Sequence, residues 1–441
     1  MVIKKRIKKI PLLFLAMGLI VLIFLRDILG IAISKIIFIV FTLGCLAVAD
    51  YGTLVEMVFF LIPLFSGLPG TYIRIGLFIF LIWKRRGIDF KAFFSISIFS
   101  AMELVASLGY LNIDFIDIGS YLCTLAIFLF LIYDNKKVDY EKCLILYILG
   151  VLFCCLILII GTLMTYQGSW IELLKLGKIR LGDHNTTSGD SMKLVLNANE
   201  TAYYCITAVS ASLFLSVKTN RILYKRISIV CCLILAICGL LSLSRTYFLL
   251  LLLIVMFFAL SMLHDRKKRI NIIIGIAATI LLGMILYANN EAFHGLVEAI
   301  FSRFDDSDVA TGGGRSHIFE LYMEKFTSEI RFVLFGTGVT QYSEVLNLHA
   351  SIHNMLQQIL VCYGLFGFVL YLSILIYPVK RAYKCGAIDL LTLIPFFGVL
   401  IFAQSIQFIN PYVLMLHYLV CVYAFRISID QHVHCTVTRK E

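Results

Sequence analysis

Four polar positions carry side chains and neighbours suited to phosphate and proton chemistry: Arg180 in KIRLGDHN, Arg245 in LSLSRTYF, Arg315 in GGGRSHIFE and His353 in HASIHNMLQQ. Guanidinium groups that converge on one point bind a phosphate or diphosphate through bidentate, charge-assisted hydrogen bonds. Taken singly, an arginine at a membrane boundary is as readily explained by snorkelling to lipid headgroups. Gly312, Gly313 and Gly314 precede Arg315. They permit close backbone approach to an anion, and the residues after them can open a helix whose N-terminus favours negative charge; a plain hinge is the alternative. No Lys-Ser/Thr pair follows at the spacing of a P-loop.

A neutral imidazole at His353 can accept a hydroxyl proton near neutral pH. His349 lies four residues earlier, so on a helix the two would share one face, as metal-binding histidines do. No Glu stands between them in an HExxH arrangement, and we expect neither a metal nor a cofactor. A general base and a helix-start histidine of no special role are the two main readings, with a metal ligand third. Asn354 is the adjacent polar residue. Asn197, Asn199 and Glu200 in LNANETAYY fit either a helix cap or contacts to a hydroxyl-rich substrate.

What must position these groups is a membrane bundle. The 441 residues have a mean hydropathy of +0.94, 61% hydrophobic and 15% charged side chains. Soluble domains run nearer roughly 45–50% and about 25%, so a soluble globule, a disordered chain and a secreted disulfide scaffold are excluded. The net charge of +11 could suggest nucleic acid, but the basic residues sit in short clusters between apolar runs: 4–9, 84–86, 135–137, 221–226, 265–269 and 380–384. That is the signature of cytoplasmic loops under the positive-inside rule, and nucleic acid is not an expected partner. Nearly all 13 Cys lie in or beside apolar runs, which argues against structural disulfides and zinc.

Apolar runs lie near 10–25, 28–49, 52–68, 71–83, 91–110, 115–133, 143–164, 198–217, 227–243, 246–263, 270–287, 351–377, 387–404 and 411–427. Pro63, Pro69 and Gly70 interrupt 52–83, which is one bent crossing or two short ones. Two crossings put every basic cluster and both termini inside. The expected fold is an all-α polytopic membrane protein of about 14 helices (12–14), organised as N-terminal helices 1–164, an outer loop 165–197, central helices 198–287, a larger outer loop 288–350, and C-terminal helices with a cytoplasmic tail, 351–441. The second loop is acidic, and SHIFELYMEKF (316–326) has apolar residues at helical spacing, predicting an ordered amphipathic cap on the membrane. Arg180, Arg245, Arg315 and His353 then all face outward. No inverted repeat of broken helices is present.

NANETAYY, LSLSRTYF, GGGRSHIFE with FGTG at 335–338, and HNMLQQILVCYGLFGFVLYL occur in that order. Together they resemble the O-antigen ligase and Wzy-type polysaccharide polymerase family over roughly residues 165–377. The resemblance implies a metal-independent, inverting glycosyltransferase of the all-helical, lipid-phosphate-sugar-using (GT-C-like) kind in a bacterial cytoplasmic membrane. Donor and acceptor would be polyprenyl-diphosphate-linked oligosaccharides at the outer leaflet, beside membrane lipid, with a flippase and chain-length regulators as protein partners. It implies that Arg245 and Arg315 hold the diphosphate and His353 acts as base on the acceptor hydroxyl, with Arg180 matching more loosely; we expect Arg180, Arg303, Asn199, Glu200, Gly314 and Asn354 to bind substrate. Arg303 to Gly314 fits the family's Arg-x10-Gly spacing; Arg180 to Gly189 is two residues short. A ligase moving a finished glycan shares these motifs. A lipid-linked glycan flippase or transporter is the rival of another class, and it should place polar groups near the bilayer midplane.

Overall fold

The structure, a computed structural model, describes residues 10–107, 115–166, 169, 172–173, 176, 180–182, 193–194, 196–263, 270, 281, 283–305, 315–348, 350–409 and 413–438. Gly314 and His349 lie outside the described residues, and for Arg303 and Arg315 only the backbone is described.

The described elements are all helical, with no strand among them. In chain order they are α1 (Ile10–Asp27), α2 (Lys35–Val48), α3 (Tyr51–Leu61, continued by a 3-10 turn Ile62–Gly67), α4 (Gly70–Arg85), α5 (Phe90–Ser107), α6 (Phe115–Tyr133), α7 (Tyr140–Tyr166), α8 (Ala198–Lys218), α9 (Ile222–Leu241), α10 (Arg245–Met262), α11 (Glu291–Asp305), α12 (Arg315–Thr327), α13 (Ile330–Phe335), α14 (Tyr342–Val345), α15 (Met355–Lys384), α16 (Leu390–Ala403) and, after a 3-10 turn Leu414–Tyr418, α17 (Leu419–Thr438). Six of them, α1, α6, α7, α9, α10 and α15, are long and apolar enough to cross a membrane. At 1.5 Å per residue an 18-residue helix spans about 27 Å, close to the roughly 30 Å of a hydrocarbon core.

Burial separates an inner set of helices from an outer one. α3 is buried on every side, and α6, α7, α8 and the 3-10 turn before α17 are largely enclosed. α1, α2, α9 and α10 instead turn large apolar side chains outward, such as Leu13, Val40, Leu233 and Leu249, each more than half exposed. A peripheral helix with apolar residues on its outer face is stable where the surrounding solvent is lipid.

The basic loops gather at one end. Asp134 receives Arg85 Nε at 2.5 Å and the Tyr51 hydroxyl. Arg381 donates to Asn135 at 2.6 Å, Lys218 to Asp389 at 2.6 Å and Arg221 to Asp139 at 2.6 Å, while Lys142 pairs with Glu56. Clusters 84–86, 135–137, 221–226 and 380–384 therefore share one face; 4–9 and 265–269 lie outside the described residues. Tyr51 and Arg85 meeting on one carboxylate also decides the path of 52–83. The chain goes in and returns: α3 with its 3-10 turn covers roughly 28 Å and α4 about 24 Å.

Some boundaries differ from the expectation. The run 351–377 becomes helical only at Met355, because Asn354 caps it, and α15 continues to Lys384. The run 28–49 is helical only over Lys35–Val48, capped by Ser34. Most of 270–287 lies outside the described residues.

Candidate functional site

At the end opposite the basic face, the polar positions fall into two groups. The first surrounds the tight turn between α9 and α10. Ser244 is the N-cap of α10 and Arg245 its first residue, half-buried. Leu181 N–H donates to Leu241 O at 3.0 Å, which lays half-buried Arg180 beside this turn. Gly182 is wedged so closely against the start of α8 that a Cβ would stand 2.8 Å from Leu196 O and Thr201 Oγ1. From another side α11 packs Ala299 and Ile300 against Leu243, and Ile300 and Phe304 share a small apolar cavity with Arg245. Arg303 is carried by that same helix. Positions scattered over 124 residues of sequence, Arg180 to Phe304, thus converge on one turn.

The start of α8 is a capping box. Asn197 Oδ1 accepts from Glu200 N–H at 2.9 Å, and Glu200 Oε2 accepts from Asn197 N–H at 3.1 Å. Of the two readings of NANE, the structure therefore shows the cap for Asn197 and Glu200, leaving Asn199 half-buried at the second helical position.

The second group lies where α12 and α15 begin. Asn354 is an N-cap: its Oδ1 accepts from Gln357 N–H at 3.0 Å, and its amide donates to Gln404 O at 3.5 Å. His353 is exposed and immediately precedes the cap, in a non-helical stretch covering 351–354. His349 lies outside the described residues, so its relation to His353 is not described. Gln357 donates to Phe319 O at 3.0 Å. Because Phe319 is one turn into α12, this bond brings the backbone of Arg315 to the neighbourhood of His353. Tyr322, buried in the same helix, donates its hydroxyl to Ala350 O; burial pushes that hydroxyl up to about 12, so it stays protonated as the donor.

The two groups flank α16. Tyr203, one turn into α8, stacks obliquely on Phe402 with ring centroids 5.7 Å apart, and two residues later Gln404 O meets Asn354. The starts of α8 and α15 thus both meet the end of α16.

Several positioning residues escaped the sequence reading. Gln358, fully buried, accepts from Phe408 N–H and Ile409 N–H, both at 2.9 Å, pinning the 404–409 segment to α15. Glu103, fully buried near the end of α5, accepts from Val339 N–H at 2.7 Å, Thr340 N–H at 3.0 Å and the Thr340 hydroxyl at 2.7 Å. FGTG closes the same joint. α15 breaks at Gly364 (φ 63), and Thr337 N–H and Gly338 N–H cover the Val361 and Cys362 carbonyls at 3.1 and 3.0 Å. A Cβ on Gly336 would overlap Cys362, and one on Gly364 would overlap Leu334, so only glycines allow these backbones to cross. A lone Glu in the apolar run 91–110 was a visible signal; a partner 236 residues away was not.

The interior also holds polar groups. His417, fully buried, pairs its Nδ1 with the Tyr147 hydroxyl at 2.5 Å and lies against the rings of Tyr203 and Tyr204. Tyr147 is seven residues from the basic-end start of α7, about 10 Å, and Tyr204 six residues from the opposite end of α8, about 9 Å. Polar groups are therefore not confined to one face. No group of three His, Cys, Asp or Glu side chains fit to hold a metal occurs among the described residues.

No protein-family model, curated protein or solved structure matches the chain. The class that fold and site define is a multi-pass helical membrane protein with short helices over one end of the bundle.

Proposed function

We propose that this chain is an inverting glycosyltransferase that polymerises polyprenyl-diphosphate-linked oligosaccharide units at the outer leaflet of a bacterial cytoplasmic membrane, for a capsule, exopolysaccharide or O-antigen. The observation that carries the reading is the gathering of Arg180, Arg245, α11 with Arg303, α12 with Arg315, and His353 at the end of the bundle opposite the basic loops. Under the positive-inside rule that end is external, both termini are cytoplasmic, and the apolar runs make fourteen crossings in a GT-C-like arrangement.

In this reaction the acceptor hydroxyl oxygen attacks the anomeric carbon of the donor as the bond to the diphosphate breaks. The hydroxyl proton passes to His353, and the electron pair leaves on polyprenyl diphosphate. Arginines fixed at the membrane surface stabilise the charge that grows on this leaving group. A positioned base contributes on the order of 100- to 10,000-fold. Asn354, Gln357 and Gln358 hold the start of α15 and, with it, His353. The test is purified protein with a synthetic polyprenyl-diphosphate repeat unit and no other protein. A product ladder spaced by one repeat unit supports polymerisation, a single transfer to a glycolipid acceptor supports the ligase, and no glycosidic product defeats both.

One observation favours a carrier as the second reading: His417 with Tyr147, Tyr203 and Tyr204 inside the bundle, where a translocated polar group would pass. Transbilayer movement of a fluorescent lipid-linked glycan in proteoliposomes, lost in His417→Ala, would establish it.

A further inference from the structure

Among the described residues, three open grooves of similar size line the bundle, and charge at the mouth separates them. One, about 410 Å³ between α5 and α13, has Arg331 at its rim, but Arg331 Nε is paired with Glu329 at 2.7 Å. A second, about 470 Å³ between α8, α9 and α10, has one lysine, Lys225. The third, about 520 Å³ between α5 and α15, has two, Lys91 and Lys380, over a floor that includes Phe94, Tyr133, Leu370 and Tyr377.

We propose that this third groove binds one anionic phospholipid, its acyl chain along α15 and its phosphate between Lys91 and Lys380. From Leu370 to Lys380 the groove wall runs ten residues, about 15 Å, the reach of much of an acyl chain. Both ammonium groups are on the basic end, where a headgroup phosphate would lie. Among the described residues neither has a carboxylate partner, and Lys91 Nζ stands 5.2 Å from the centre of the Tyr377 ring. Four other cations of this face are paired within the protein: Arg85 with Asp134, Arg221 with Asp139, Lys142 with Glu56 and Lys218 with Asp389. Tyr133 and Tyr377, ring centroids 4.9 Å apart, present apolar rings with polar tips at headgroup depth. The groove opens sideways past Phe90, Phe94 and Ile376, all more than half exposed, so the ligand enters from the bilayer.

The full chain in detergent is titrated with dioleoyl phosphatidylglycerol or dioleoyl phosphatidylcholine, with bound lipid counted by native mass spectrometry and thermal unfolding followed in parallel. Phosphatidylglycerol is expected to remain as one retained lipid and to raise the unfolding temperature, phosphatidylcholine not. The double variant Lys91→Gln/Lys380→Gln should lose that retained lipid. Lys136→Gln/Lys384→Gln, which removes equal charge elsewhere on the same face, should keep it. Ser373→Trp, which fills the groove and leaves both lysines, should also lose it, and soluble glycerol phosphate should not compete. Retention of phosphatidylglycerol by the Lys91/Lys380 variant, equal loss in the Lys136/Lys384 variant, or displacement by glycerol phosphate overturns the proposal.

Discussion

His353 and Asn354 are adjacent but differ in exposure and in partners. Asn354 spends its carbonyl oxygen on Gln357 N–H and its amide on Gln404 O, so it builds the start of α15; His353 is exposed just outside the cap. His353→Ala is therefore expected to abolish elongation by the purified protein while leaving the unfolding temperature and donor binding near wild type; full activity across the pH range would remove its role as base. Asn354→Ala should instead lower stability, by about 1 kcal/mol for a lost N-cap, and impair turnover only through the displaced helix start. If His353 alone is the base, His349→Ala is expected to be mild, and equal loss in both histidine variants with rescue by zinc would establish a metal instead. Arg315→Lys keeps charge but not the planar fork, so turnover should stay strongly impaired if the contact to a diphosphate is bidentate; near-normal turnover would leave a point charge only.

At the scale of elements, the joint between α13 and α15 depends on backbones crossing where no side chain fits. Gly364→Ala puts a Cβ into Leu334 at a positive φ, and should destabilise by more than the ~1 kcal/mol of an ordinary glycine replacement, with protease sensitivity rising in 329–345. Glu103→Gln keeps the shape but weakens three accepted bonds, and should reproduce part of that effect in a thermal melt. At the basic end, Asp389 caps α16 and pairs with Lys218. Burial alone would raise its carboxyl, but the hydrogen bonds from Lys218 and Thr392 outweigh it and hold the group below the usual range. A folded value that is depressed stabilises above the unfolded value, about 3.9, and the gain fades as pH falls through the folded one. Since Asp389 is half exposed, Asp389→Asn should cost less than about 1 kcal/mol at pH 7, and the difference in unfolding temperature should shrink as pH falls below the unfolded value.

For the whole molecule, four basic clusters meeting on one face tie the site's sidedness to the bundle's. Cysteine placed at Ser169 should react with an impermeant maleimide in intact cells above the wild-type background, and cysteine at Lys136 only after permeabilisation. The reverse pattern would put the arginines and His353 inside and end the outer-leaflet reading. The helical membrane class, the return of the chain over 52–83 and the helix in 316–326 were legible in the sequence by itself, because hydropathy, charge clusters and a 3.6-residue period are local quantities that a bilayer reads directly. The candidate residues were picked out for the same reason, since a lone Arg or His beside an apolar run is conspicuous. Only the tertiary structure decided which of them meet: Leu181 on Leu241, Gln357 on Phe319, Glu103 on Val339 and Thr340. It also decided that Asn197, Glu200 and Asn354 serve as caps, and that the glycines of FGTG and of α15 form one crossing. The caps join residues only three apart, whereas the other contacts pair donors and acceptors far apart in the chain. The low-dielectric interior enforces them by the cost of any polar group left unpaired, a cost that no local pattern records.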